Sequence, residues 1–164
     1  MKKRVANVFS ELIRNAKKSD RDIAKKLNIS QPTVTRIRKK LESSGYISEY
    51  TVIPNFAKMG LEIVAFIFFD TNKCGSKDIK NKAHNWILKN PSIMFSASGD
   101  GIRGKNCAIV TMHKNFTEYT NFINEFRSSF GEHMGSIETF LVTLRTPTPK
   151  YVSFKSLADL IQSD

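Results

Sequence analysis

Residues 19–45 read SDRDIAKKLNISQPTVTRIRKKLESSG and contain two short helical patterns separated by a tight turn. Ser19 begins the first pattern with a capping-box spacing, because Asp22 stands three residues later. Ser30 begins the second, and the proline two residues on fits in a first helical turn, where its missing N–H costs nothing. The final glycine is typical of a left-handed helix end. Two short helices joined in this way predict a helix-turn-helix.

The second helix of this motif divides into a buried face and an outward face. Val34, Ile37 and Leu41 recur at i, i+3 and i+7 and predict the buried side. Hydroxyls, Gln and Arg near the beginning of the other side are suited to base edges in a major groove, and the later cations are suited to phosphates. Ser19 and Arg21, which begin the preceding helix, could hold a further phosphate. The DNA contacts predicted from the second helix are Ser30, Gln31, Thr33, Thr35 and Arg36 at bases, and Arg38, Lys39 and Lys40 at phosphates. The sequence leaves open which of them touch bases, because the docking angle decides that.

The positive charge of the chain is concentrated in its first quarter. The 164 residues carry a net charge of +11, and residues 1–45 hold 13 Lys/Arg against 4 Asp/Glu, a net of +9. Residues 46–164 hold 13 against 11, a net of +2. A basic head on a nearly neutral body predicts that the head binds a polyanion. The alternative is a solvated basic face on a helical bundle, which does not explain why the charge is confined to the motif.

The order of strand and helix patterns in the body of the chain predicts a ferredoxin-like βαββαβ domain. Its strands are predicted at 62–70, 92–98, 105–112 and 136–145, and its helices at 78–89 and 115–130. The first and third strands are the most evenly apolar, as expected for the central pair of a split βαβ sheet. Both helices then cover one face and leave apolar side chains on the other, which normally marks an interface. The sequence therefore predicts an α+β chain that forms a homodimer through its sheet.

Four segments follow from these patterns. They are a three-helix helix-turn-helix DNA-binding domain at 1–45 whose first helix spans 3–17, a linker strand (46–53) and hinge together at 46–61, an effector and oligomerisation domain at 62–146, and a tail with a short helix at 147–164.

The sequence carries no pattern that indicates catalysis, a metal or a cofactor. His84, His113 and His133 have no second ligand at i+3 or i+4. We find no nucleophile elbow, phosphate loop or dinucleotide motif. Cys74 and Cys107 have no partner at metal or redox spacing, so we expect reduced thiols in a cytoplasmic protein. The apolar runs are too short to span a membrane.

Several stretches resemble the N-terminal half of the Lrp/AsnC (feast/famine) regulators. They are DIAKKLNIS at 22–30, VTRIRKKLESSGYI at 34–47, YTV at 50–52 and KMGL at 58–61. The body resembles the family mainly by its element order. The resemblance implies binding to double-stranded DNA, transcription regulation, and dimers that assemble into tetramers or octamers in many members. It also implies an amino-acid effector near the loop that joins the second and third body strands.

That loop departs from the family pattern, which often shows Gly-Asp followed closely by a second acid and a Tyr. Gly99 and Asp100 match, but Gly101 and Arg103 follow and the second acid is missing. The resemblance implies effector contacts at Gly99 and Asp100, and the charge of Arg103 or Lys105 favours an anionic ligand. A plain glycine-containing hairpin is the alternative.

One enzymatic alternative shares this plan of a helix-turn-helix and a ferredoxin-like domain. Sirohaem decarboxylases carry a His-Asn-Tyr type stretch and a basic pocket for porphyrin carboxylates. The nearest stretch here is AHNW at 83–86, without the following Tyr and Arg. A third possibility is an oligomerisation adaptor that has lost DNA affinity, and the net charge of +9 in the head argues against it.

Overall fold

Three helices form the head. In the computed structural model, which describes residues 1–71, 76–147, 150 and 152–162, they are α1 (Lys3–Arg14), α2 (Asp20–Leu27) and α3 (Gln31–Ser43). Their shared core includes Val8, Leu12, Ile23, Val34, Ile37 and Leu41. The buried face predicted for α3 is confirmed.

The ends of these helices follow from local chemistry. The Ser19 hydroxyl accepts a hydrogen bond from the Asp22 N–H at 3.1 Å, so the predicted cap of α2 is confirmed. Gly45 has a φ of 74°, the left-handed conformation expected after α3. α1 ends three residues before its predicted end at 17, because Asn15 leaves the helix and its side chain accepts a hydrogen bond from the Lys17 N–H at 3.0 Å.

The strand predicted at 46–53 is absent, and that prediction is wrong for the single chain. Residues 48–55 carry no regular structure, and Tyr46, Tyr50 and Val52 are exposed. Alternating Tyr, Ile, Thr and Val favour a strand only where a second strand pairs with them, and no described strand pairs with this segment. The chain then turns at residues 56–60, within the hinge predicted at 46–61, where the Leu61 N–H donates to the Phe56 carbonyl at 3.0 Å.

The body is a four-stranded antiparallel sheet with two helices. Its elements are β1 (Ile63–Phe69), α4 (Lys77–Lys89), β2 (Ile93–Ser98), β3 (Cys107–His113), α5 (Phe116–Phe130) and β4 (Ile137–Thr143). The strand order is β2-β3-β1-β4, which confirms the first and third strands as the central pair. The split βαβ, ferredoxin-like prediction is therefore confirmed.

The two faces of the sheet differ in what covers them. Ala65, Ile67 and Phe69 pack with the aromatic side chains of α5 in the body core. The opposite face carries Phe66 and Phe140, which lie directly across from each other in the register of β1 and β4. We call this second surface the open sheet face, and its other apolar members are Val64, Phe68, Phe95, Val110, Met112 and Val142.

The C-terminal tail contains α6 (Leu157–Gln162), which packs on α1 of the head. Ala158 is fully buried, and the buried Ser10 hydroxyl donates to its carbonyl at 3.0 Å. The chain thus divides into one unit of Met1–Ile53 with the tail residues after 148, and a second unit that begins at Pro54. Cys74 lies outside the described residues. Within the described ranges, no helix is long and apolar enough to cross a membrane.

Candidate nucleic-acid interface

The beginning of α3 is exposed and polar. Gln31, Arg36, Lys39 and Lys40 are exposed, and the first three lie with Pro32 and Thr35 around one shallow surface depression. The Ser30 hydroxyl caps the helix by accepting a hydrogen bond from the Thr33 N–H at 3.4 Å, and it also lies 2.8 Å from the Thr33 hydroxyl. Of the predicted base-contacting residues, the structure therefore brings Gln31, Thr35 and Arg36 together around this depression, whereas Ser30 and Thr33 do not line it. Val34, Ile37 and Leu41 anchor that surface from below.

Ser19 and Arg21 lie at the beginning of α2. The Ser19 hydroxyl caps the helix and also donates to Asp22 Oδ2 at 2.6 Å, while the Arg21 side chain is exposed. The hydrogen bond from Ser19 lowers the pKa of the Asp22 carboxyl. The Asp22 carboxylate would repel a phosphate at the position predicted beside Ser19. The exposed Arg21 would supply the positive charge for such a contact.

Arg38 is held inside the head by an acidic partner. Its Nε and Nη2 atoms both lie 2.7 Å from Asp20 Oδ1, and Nη2 also donates to the Lys18 carbonyl at 3.2 Å. Thr35 donates its hydroxyl to the other Asp20 oxygen at 2.7 Å. Burial opposes ionisation of Asp20, but these hydrogen bonds outweigh it and lower the pKa of its carboxyl. Arg38 and Thr35 therefore differ from Arg36 in that they bind α2 as well as facing outward.

Glu11 is a buried carboxylate that the sequence analysis missed. It is 1% exposed, and its oxygens lie 2.6 Å from Lys26 Nζ, 2.7 Å from Lys18 Nζ and 3.1 Å from Arg14 Nη1. Burial would raise its pKa, but hydrogen bonds and charge from Lys18 and Lys26 lower the pKa to about 2. The sequence does indicate this burial, because Glu11 lies three residues after Val8 on the apolar face of α1. Part of the basic charge of the head is thus neutralised internally.

The loop between β2 and β3 forms a second candidate site. Gly99 and Asp100 line a small depression of about 190 Å³ beside Lys105. Lys105 is 5% exposed, donates to the Ser136 hydroxyl, and has its Nζ 3.7 Å from Asp70 Oδ2. Arg103, in a left-handed conformation with φ 56°, is exposed and does not line the depression.

The three histidines do not form a metal site. In the described parts of the chain, no three His, Cys, Asp or Glu side chains are grouped so as to hold a metal ion. His113 is 1% exposed, and its Nε2 lies 2.8 Å from the Thr111 hydroxyl. Burial lowers the pKa of this imidazole, against the opposing charge of Glu118, so His113 acts as a core residue.

The architecture defines a class of protein: a helix-turn-helix head joined to a ferredoxin-like α+β body. Residues 7–48 match the winged helix-turn-helix DNA-binding family. LrpC of Bacillus subtilis, an HTH-type transcriptional regulator, is 33% identical over 120 residues, which cover 73% of this chain and 78% of LrpC. The chain therefore belongs to the Lrp/AsnC family of transcriptional regulators.

Other relatives agree on the head and on the fold. An uncharacterized HTH-type transcriptional regulator of Pyrococcus furiosus is 43% identical over 60 residues, which cover 37% of this chain and only 40% of that protein. The AsnC structure from E. coli superimposes with a TM-score of 0.73 at 18% identity, covering 93% of this chain and 97% of AsnC. A Neisseria meningitidis transcriptional regulator solved as its L-Met complex superimposes with a TM-score of 0.78 at 16% identity, covering 92% of each chain.

Proposed function

We propose that this protein is a homodimeric transcription regulator that binds a specific double-stranded DNA site through α3. The observation that carries the proposal is the exposed polar beginning of α3, which is anchored by a buried apolar face within a head of net charge +9. Gln31, Thr33 and Arg36 are the proposed base-contacting residues, and Ser30 and Thr35 stand beside them. Lys39 and Lys40 are proposed to contact phosphates, as Ser19 and Arg21 are from α2.

Arg38 takes a second role in this proposal. Its Nε and Nη2 atoms are bonded to Asp20, and its Nη1 donates to the Tyr50 hydroxyl at 3.5 Å, so each nitrogen of the guanidinium already has a partner in the head. We therefore infer that Arg38 contributes to DNA affinity mainly by fixing α3 against α2.

The open sheet face supports the dimer. Phe140 is 65% exposed and Phe95 is 55% exposed on the surface that the helices do not cover. A contiguous apolar sheet face is normally covered in the working assembly of a protein. A dimer closed through it would present two α3 helices to successive major grooves, with half-sites about one helical turn or a multiple apart. Tetramers or octamers of such dimers are compatible with this arrangement.

We further propose that a small-molecule effector binds at the loop between β2 and β3. The Neisseria relative was solved with L-Met, and Gly99 and Asp100 line a depression at the loop between β2 and β3 in this chain. The buried ammonium of Lys105 lines the depression and is shared by Asp70 and the Ser136 hydroxyl, and we propose that a ligand carboxylate would add to these contacts. Arg103 does not line the depression, and its Nη1 lies 3.8 Å from Glu138 Oε1, so as an effector contact it would have to leave this acidic partner.

We propose no enzymatic role and place the protein in the cytoplasm with its DNA. The named relatives are regulators. In the stretch that was compared with sirohaem decarboxylases, Trp86 stacks on Phe126 with ring centroids 5.5 Å apart, as a packing residue does.

Selection of bound DNA from a random pool, with and without single amino acids, tests the proposal. We expect one enriched pseudo-palindromic motif, and a changed yield with an effector. The same selection with Arg36→Ala should lose the enrichment although the protein still dimerises. Recovery of DNA with no enriched motif would overturn the sequence-specific function.

A further inference from the structure

A cavity of about 490 Å³ lies between α4 and the helix-covered side of the sheet. Trp86 holds the second half of α4 in place, because its indole packs on Phe126 and Phe130 and its Nε1 donates to Glu125 Oε1 at 2.8 Å. The first half of α4 is less closely packed, and Ile79 and Ala83 are only partly buried. No residue of α4 is fully buried, but Ala83, Trp86 and Ile87 pack against the body core, so the cavity lies beside these contacts.

The cavity has an apolar floor and polar groups elsewhere in its wall. The floor consists of buried apolar side chains, namely Phe69, Phe126, Phe130 and Met134. Lys80, His84 and His133 also line it and supply one ammonium and two imidazoles. Ser96, Ser98 and Thr71 add hydroxyl groups, and none of the described lining residues is acidic.

The cavity is open to solvent, because Lys80 and His84 in its wall are exposed, and its composition suits a small-molecule ligand. Small-molecule sites are typically a few hundred cubic ångströms, mostly apolar, with a few polar groups that orient the ligand. The depression beside Asp100 is different, because it lies next to Phe68 and Ala108 on the open sheet face. Among the described residues, the cavity and the depression share Ala97, Ser98 and Cys107.

We propose that the cavity under α4 binds a small aromatic carboxylate, with the ring on the Phe126–Phe130 floor and the carboxylate toward Lys80 and His84. A flat ring matches the aromatic floor, where offset or edge-to-face ring contacts are favourable. A carboxylate matches the ammonium and the imidazole N–H groups, since charge-assisted hydrogen bonds are stronger than neutral ones. The cavity under α4 would be a second ligand site. The proposal does not depend on DNA binding or on the effector role of the loop.

Trp86 is the single tryptophan of the chain and lines the cavity, so its fluorescence reports directly on occupancy. The probe is phenylacetate, titrated into the full-length protein without DNA, and the neutral comparison is phenylacetamide. We expect a saturable change of emission with phenylacetate and an affinity about tenfold weaker with the amide. Equal affinities for the two probes, or no saturable change at millimolar phenylacetate, would overturn the proposal.

Three variants test where phenylacetate binds. The double variant Lys80→Gln/His84→Gln should weaken phenylacetate binding by about tenfold, whereas Lys89→Gln removes a charge from α4 outside the cavity and should leave it unchanged. Arg103→Ala should also leave it unchanged. Loss of binding in Arg103→Ala, or an equal loss in Lys89→Gln, would assign the probe to the loop or to general charge and would overturn the proposal.

Discussion

Asp20 at the beginning of α2 and Arg38 within α3 form an ion pair in which two guanidinium nitrogens lie 2.7 Å from one carboxylate oxygen. Each side chain is 18% exposed, so the pair is partly shielded from water and salt. It joins the two helices whose relative angle determines how α3 presents its outward residues. The neighbouring Arg36 is exposed, although the sequence gives both arginines the same basic pattern.

The two arginines should therefore respond differently to substitution. Arg38→Met should lower the free energy of unfolding by about 1–3 kcal/mol, because it leaves the half-buried Asp20 carboxylate without its cation. Arg36→Met should change stability by less than about 0.5 kcal/mol but lower affinity for the selected DNA by about 1–3 kcal/mol. Urea unfolding and DNA titration measure the two quantities.

Asp20→Asn is the matched control for this pair. If Arg38 works by positioning α3, Asp20→Asn should lower both stability and DNA affinity. If Arg38 works only by contact with a phosphate, removal of the acidic partner should leave affinity equal or higher. The second outcome would contradict the positioning role.

Acid should destabilise the head through Glu11. Its pKa is about 2 in the folded protein against an ordinary 4.5, so its stabilising contribution is complete above pH 4.5 and is lost as the pH falls toward 2. The shift corresponds to about 3 kcal/mol. Glu11→Gln should lower stability by roughly that amount at pH 7 and should flatten the acid limb, as measured by urea unfolding at a series of pH values.

An exposed acid provides the control for Glu11. Glu49→Gln changes the same functional group at a position that is open to solvent, and it should leave both the stability and its pH dependence near those of the unchanged protein. Parallel acid curves for Glu11→Gln and the unchanged protein would show that another group carries the acid sensitivity.

The sequence patterns predicted those features that depend on residues close together in the chain. The caps at Ser19 and Ser30 and the buried face of α3 depend on residues within one or two turns, and the sheet order follows from how apolar each strand is. Arg38–Asp20 and Glu11–Lys26 join residues 18 and 15 positions apart, so spacing along one helix does not reveal them. The sequence could therefore identify the exposed residues of the proposed DNA site but not which cations are paired internally.

Salt should weaken DNA binding steeply, because bound phosphates release counterions. The logarithm of the binding constant should fall linearly with the logarithm of salt concentration. Lys39→Gln should reduce the magnitude of that slope by about 0.9 if Lys39 meets one phosphate. Lys89→Gln, in the body, should leave the slope unchanged, and a slope that Lys39→Gln does not alter would remove Lys39 from the phosphate contacts.

The open sheet face should control the oligomeric state. Phe140→Glu places a charge on an apolar surface opposite Phe66, whose ring centroid lies 6.4 Å from that of Phe140. We expect dimer dissociation to become easier by about 2 kcal/mol or more in sedimentation experiments, because a buried unpaired charge is costly. Leu88→Glu, at a side chain that is 71% exposed on α4, should leave the dimer intact. An unchanged dimer in Phe140→Glu would place the interface elsewhere.

The tail should stabilise the head, because α6 covers part of α1 rather than extending into solvent. Ala158 is 0% exposed and accepts a hydrogen bond from the buried Ser10 hydroxyl, and Asp159 adds an ion pair to Arg14 at 2.6 Å. Ala158→Asp introduces a charge at a fully buried position, so it should release α6 from α1. We expect rapid proteolysis within residues 150–162 while the three helices of the head remain folded, since their core does not include the tail. Ser156→Asp adds the same charge at an exposed position of the same segment and should leave the tail protected. Equal protection of the tail in Ala158→Asp would show that contacts other than the Ser10–Ala158 site hold α6 in place.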